Sequence, residues 1–157
     1  MSAPTLTFSP DNCTIGRAMQ ILGEKWSVLV LREVFLGVRR FDDMRTRTGI
    51  PRQVLTNRLA RLVDQGILRR VPYQVPGERS RDEYRLTEKG FDLYPVLVAL
   101  RDWGDRYVCD PEGPPMLTRH RDCDALVHTE LRCEAGHAVE PRDVLPRPGP
   151  GIHLATR

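Results

Sequence analysis

The chain has 157 residues and a formal net charge of +3, with 40% hydrophobic and 29% charged residues, an ordinary balance for a soluble globular domain with a real core. No apolar run is long enough to span a membrane, and the N-terminal MSAPTLTFSPDN lacks a signal-peptide core. Cys13, Cys109, Cys123 and Cys133 are too few and too scattered for a disulfide framework, so a cytoplasmic protein is expected, with thiols left for reduced, redox or metal chemistry.

In chain order, Ile15, Ala18, Met19 and Leu22 recur at helical spacing, and Gly23 ends that helix. Ser27 is expected to cap a second helix, Val28 to Leu36, apolar almost all round and therefore central. Gly37 stops it. Asp42 is expected to cap a short third helix with Phe41 and Met44 inward, and Thr48-Gly49-Ile50-Pro51 makes a tight turn. A fourth helix, about Arg52 to Gln65, buries Leu55, Leu59, Leu62 and Val63 and shows Arg52, Gln53, Thr56, Asn57, Ala60 and Arg61 outward. Ile67 to Val71 and Asp82 to Leu86 read as the strands of a long hairpin whose loop, Pro72 to Arg81, is rich in Pro, Gly and Arg. One last long helix runs from Thr87 to about Val108, kinked by Pro95 near Phe91.

A short helix, a turn, an amphipathic helix with a polar outer face and a basic hairpin form, in that order, a winged helix-turn-helix. The fold class is α+β, mainly α, with flanking dimerisation helices and a small C-terminal appendage. Charge agrees: residues 39–85 hold 12 Arg against 6 Asp and Glu, and none of the segments 1–38, 86–108 and 109–157 is net positive. Phosphate backbones attract such a patch. The outward side chains of the fourth helix are of the kinds that meet base edges: Arg for guanine, Asn and Gln for adenine, Thr for the thymine methyl.

Several blocks together resemble the HxlR-type regulators, relatives of the MarR type. They are Cys13, Gly23-Glu24-Lys25-Trp26-Ser27, Leu31-Arg32-Glu33, Arg40-Phe41-Asp42-Asp43-Met44, Val54-Leu55-Thr56-Asn57-Arg58-Leu59, Gly66-Ile67-Leu68, Tyr84-Arg85-Leu86-Thr87-Glu88-Lys89-Gly90 and Leu100-Arg101-Asp102-Trp103. The resemblance implies a homodimeric regulator of double-stranded DNA, repressor or activator, and not an enzyme. It implies base-facing roles for Arg52, Gln53, Thr56 and Asn57, flanked by Arg58 and Arg61. It places Arg79 and Arg81 at the wing tip and Lys25, Arg39 and Arg40 at the DNA backbone. The opening Pro51-Arg52-Gln53 departs from the small polar cap expected before the proline.

In the last helix, Val96, Leu100, Trp103 and Tyr107 form a stripe widened by Leu93 and Leu97, more apolar surface than one small core needs. Two such helices with two first helices can pair about a two-fold axis. Two places could take a signal. Cys13 stands where family members carry a sensing thiol, at a helix N-terminus, which favours the reactive thiolate form; the alternative is an ordinary, partly buried cysteine. A crevice lined by Met19, Leu22, Trp26, Phe91, Tyr94, Leu97 and Trp103 suits a planar or hydrophobic effector, unless those residues fill it as core.

Residues 11–108 therefore read as the DNA-binding and dimerisation domain, and 109–157 as an extension after the linker Pro111 to Pro115. In that extension His120, Cys123, Cys133 and His137 have the spacing H-x2-C-x9-C-x3-H, which could close a tetrahedral zinc site. A metal-free hairpin is the competing reading and the one expected, so no cofactor is assigned. The rival functions are a winged-helix module that binds protein instead of DNA, and a small zinc enzyme, for which no general-base motif is present.

Overall fold

The computed structural model describes residues 10–152, which form two compact units, 10–94 and 95–152. The division between the units falls at the start of the last helix. The first unit holds α1 (Thr14–Leu22), α2 (Lys25–Phe35), α3 (Phe41–Thr48), α4 (Arg52–Asp64), β1 (Leu68–Tyr73), β2 (Arg81–Leu86) and α5 (Glu88–Phe91). The final helix, α6 (Tyr94–Tyr107), carries the chain into the second.

The core of the first unit is drawn from four of these elements: Val30, Leu31 and Val34 of α2, Met44 of α3, Leu55, Leu59 and Leu62 of α4, and Leu68 of β1, with Ile50 and Ile67 from the adjoining turns. Each such side chain contributes about 1.5–3 kcal/mol by leaving water, so the 3.6-residue spacing of the α4 leucines alone dictates which face turns inward. Gly49 closes α3 in the left-handed region at φ 70°, and its amide bonds the carbonyl of Arg45. The hairpin is antiparallel, with Leu68 opposite Leu86 and Tyr73 opposite Arg81.

Three local expectations change. Helix α2 starts earlier, at Lys25 after Glu24, so Ser27 lies inside it and is buried. Its hydroxyl does not cap, because the preceding turn of helix is already formed. Helix α3 begins at Phe41, placing Asp42 in the first turn, where its charge suits the helix dipole without capping. The single long helix is two: Thr87 caps α5, accepting from the amide of Gly90, and Pro95 stands in the first turn of α6, where a proline is tolerated. Gly90 is required there by contact, since a Cβ would lie 2.3 Å from the Ile67 carbonyl oxygen.

In the second unit, residues 109–152 contain no buried side chain among those described. Two closed turns punctuate them, bridged at Arg119–Leu126 and Arg132–Ala138. Asp102 of α6 accepts from the Thr129 amide at 2.7 Å, and Arg101 donates to the Val127 carbonyl at 2.6 Å, fastening the extension to its helix.

Candidate nucleic-acid interface

The outward face of α4 exists because its inward face is fully committed to leucine. On it Gln53, Thr56 and Asn57 are exposed. Gln53 donates from Nε2 to Asn57 Oδ1 at 3.0 Å, one helical turn on, and Thr56 returns its hydroxyl to the Arg52 carbonyl at 3.0 Å. Two amides and a hydroxyl are therefore held in defined positions on one exposed strip. The Arg52 guanidinium lies over the Phe41 ring at 5.3 Å, which steadies it at the start of the helix.

Arg39 and Arg40 approach the hairpin as a third, very short strand. The Arg39 carbonyl accepts from the Tyr84 amide at 2.8 Å, and Arg40 bridges to Glu83. Arg40 stacks on Tyr73 at 4.4 Å. Beside them a cleft of about 790 Å³ opens between the start of α3 and the hairpin, bordered by Arg52 and Arg81. Arg79 lies in the exposed tip between the strands, while Arg81 opens β2 and is held by Asp42 at 3.6 Å and Glu78 at 3.8 Å. Both pairs are exposed and weak, so phosphate can compete for the guanidinium. Lys25 is exposed and sits 5.0 Å from the Trp26 ring, which is half-buried in the first turn of α2.

Arg58 and Arg61 occupy different surroundings. Arg58, whose side chain is 18% exposed, pairs with Glu24 at 2.5 Å, and Arg61 donates to the Gln20 carbonyl at 2.5 Å. Both turn toward the α1–α2 corner. Spacing on α4 puts them at the flank of the polar strip, but their partners lie far back in the chain. Sequence reasoning also missed Glu33, which is 2% exposed and bonded to Arg32 at 2.7 Å and Arg47 at 2.5 Å. Burial opposes its charge, yet hydrogen bonds and attraction from Arg47 and Arg32 outweigh that and hold its carboxyl below the usual range. The signal was present: an acid inside an otherwise apolar helix must have a partner.

Cys13 is the N-cap of α1, its sulfur accepting from the Gly16 amide at 3.4 Å. Of the proposed crevice, Phe91 and Tyr94 pack on Phe35, with ring centres 6.2 and 4.7 Å apart, Met19 is exposed, and Leu22 is half-buried. Leu97 and Trp103 belong to the second unit. In the extension, His120 Nδ1 lies 3.1 Å from Cys123 Sγ, and His137 Nδ1 lies 3.6 Å from Cys133 Sγ. The four ligand candidates thus meet as two pairs; among the described residues no three His, Cys, Asp or Glu gather as a metal-holding group. No helix among the described residues is long and apolar enough to cross a membrane.

The chain has relatives among known proteins. A family model described as HxlR-like helix-turn-helix matches residues 21–112. Over 153 residues, 97% of this chain and 96% of theirs, there is 44% identity to uncharacterised HTH-type transcriptional regulators of Mycobacterium tuberculosis and Mycobacterium bovis. The crystal structure of PA1607, described as a candidate transcription factor, superposes with a TM-score of 0.76 at 32% identity, covering 86% of this chain and 94% of that one. The redox regulator HypR in its reduced form gives a TM-score of 0.54 at 27% identity, over 60% of this chain and 92% of its own.

Proposed function

This chain belongs to the HxlR-like helix-turn-helix family, and we propose that it works as a homodimer that reads operator DNA with α4 and releases it on a chemical signal. It is a winged helix-turn-helix transcriptional regulator and not an enzyme.

The observation that carries base reading is the ordered Gln53–Asn57 pair on the exposed strip of α4, next to the basic hairpin. Amides at that spacing match adenine edges, and the hairpin arginines match phosphate or the minor groove. Dimerisation is supported by the two faces of α6. Val98, Arg101, Asp102 and Asp105 share one face, which holds the extension. On the opposite face Val96, Leu100, Trp103 and Tyr107 are exposed. Helix α1 likewise buries nothing, with Ile15 74% and Met19 52% exposed. Apolar surface of this extent on two helices favours a second copy of the chain, which would set two α4 helices about 34 Å apart for successive major grooves.

The signal is proposed to act through modification of the Cys13 sulfur that caps α1 or through an apolar ligand against the Phe91 and Tyr94 rings. HypR is named as a redox regulator, which favours including the thiol. Footprinting on the DNA upstream of the gene and of its divergent neighbour tests the reading. A salt-sensitive protected site, with no protection on scrambled DNA, is expected; no protection anywhere would instead favour a protein-binding winged helix. Cys13→Ser separates the signals: a variant still released by inducer excludes the thiol, and one deaf to inducer with full operator affinity excludes the ligand.

A further inference from the structure

Helix α1 is nine residues long and contributes no buried residue to the core of its unit. The α1–α2 corner nonetheless meets α4 at two specific points. The last carbonyls of a helix lack intrahelical partners; that of Gln20 is satisfied by Arg61, 41 residues later in the chain. Glu24 precedes α2 as its N-cap residue but makes no cap with its side chain. Its carboxylate goes to Arg58 instead. The Arg58 Nε is buried without a hydrogen-bond partner, so the ion pair with Glu24 is what compensates for placing that guanidinium there. Two inner-flank arginines of α4 thus grip the end of one helix and the start of the next, on either side of Gly23.

We infer that Arg58 and Arg61 are positioning residues, a polar joint through which the α1–α2 corner sets the orientation of α4. The inference rests on the DNA-reading proposal for α4 and deepens it. It replaces a direct DNA role for these two arginines, because each already has a protein partner at short distance. The geometry also supplies a route for the signal. Cys13 caps one end of α1 and Arg61 caps the other, with about 13 Å of helix between them. Displacing α1 pulls on the last turn of α4 through Arg61.

The test compares Glu24→Gln, Arg58→Gln and Arg61→Gln with wild type on operator and on scrambled duplex, across a salt series, with unfolding midpoints measured alongside. Removing the negative charge of Glu24 would by simple electrostatics strengthen binding to all DNA. The joint predicts the opposite for specificity: the operator-to-scrambled affinity ratio falls about three- to tenfold in each variant. The salt slope on scrambled DNA stays at the wild-type value, and the exchange Glu24→Arg with Arg58→Glu recovers much of the ratio. A slope reduced by about one unit in Arg58→Gln or Arg61→Gln, with the ratio intact, makes that residue a phosphate contact and overturns the joint. An unchanged ratio in Glu24→Gln overturns it as well. Wild type that binds both duplexes equally fails the base-reading proposal, and the salt slopes on scrambled DNA then still judge the two arginines.

Discussion

The amide of Gln53 donates to the side-chain oxygen of Asn57 across one turn of α4, at 3.0 Å, on an exposed face of the helix. A pair ordered before DNA arrives loses less side-chain entropy on binding than two free amides would. Asn57→Ala should therefore lower operator-over-scrambled discrimination by about 1–3 kcal/mol. Gln53→Ala added to it should cost less than the sum, because the first change already frees the second side chain. Competition anisotropy on both duplexes measures this; equal losses on the two would show that neither side chain reads sequence.

Arg81 enters the wing with two weak acidic neighbours, Asp42 and Glu78, and Arg79 stands at the tip. Arg79→Ala with Arg81→Ala is expected to weaken binding to every sequence and to flatten the salt dependence by about one unit for each phosphate no longer neutralised. Asp42→Asn should move affinity the other way, since it releases Arg81. An unchanged slope in the double variant would shift the basic patch that meets DNA elsewhere.

Leu100 and Trp103 are 54% and 59% exposed on one face of α6. Leu100→Glu or Trp103→Glu should give monomers with poor operator affinity, because pairing would bury an unpartnered charge. Light scattering at micromolar concentration reads the outcome, and a monomeric wild type would end the paired-helix proposal.

Glu33 and Asp102 share a pH consequence. For each, burial disfavours the charge but is outweighed, by Arg47 and Arg32 in the first case and by the Thr129 amide and Arg101 in the second, so both folded-state values are lowered. Such groups bind protons more readily unfolded. Their stabilisation is complete above the ordinary values of 4.5 and 3.8 and disappears as pH falls through the lowered ones. Acid unfolding should be displaced to higher pH in Glu33→Gln, which leaves Arg32 and Arg47 without their shared partner. Circular dichroism between neutral and acid pH checks it; an unshifted transition would show that the buried carboxylate adds nothing.

The two Cys–His pairs of the extension each offer two donors where a structural zinc site takes four. Protein purified without chelator is expected to carry less than one zinc per chain by elemental analysis. A stoichiometric ion that disappears in both Cys123→Ser and Cys133→Ser would show that the pairs close on one metal.

What the sequence by itself determined was whatever depends on neighbours three or four residues apart. The leucines of α4 and the apolar residues of α2 announced their helices and inner faces, and the Pro/Gly/Arg loop between two short β runs announced the wing. The start of α2 was misread because Ser27 is a good cap by composition, whereas the helix had already begun at Lys25. Periodicity runs through Asp92 and Leu93 as if one helix continued, whereas the helix is interrupted between Phe91 and Tyr94. Only the tertiary structure decided where the long polar side chains go. Arg58 and Arg61 have the same spacing as base-facing residues, yet the crossing of α4 near the α1–α2 corner brings Glu24 and the Gln20 carbonyl within reach. Local spacing decides which way a Cβ points, but the partner of a guanidinium several bonds further out depends on which backbone passes nearby.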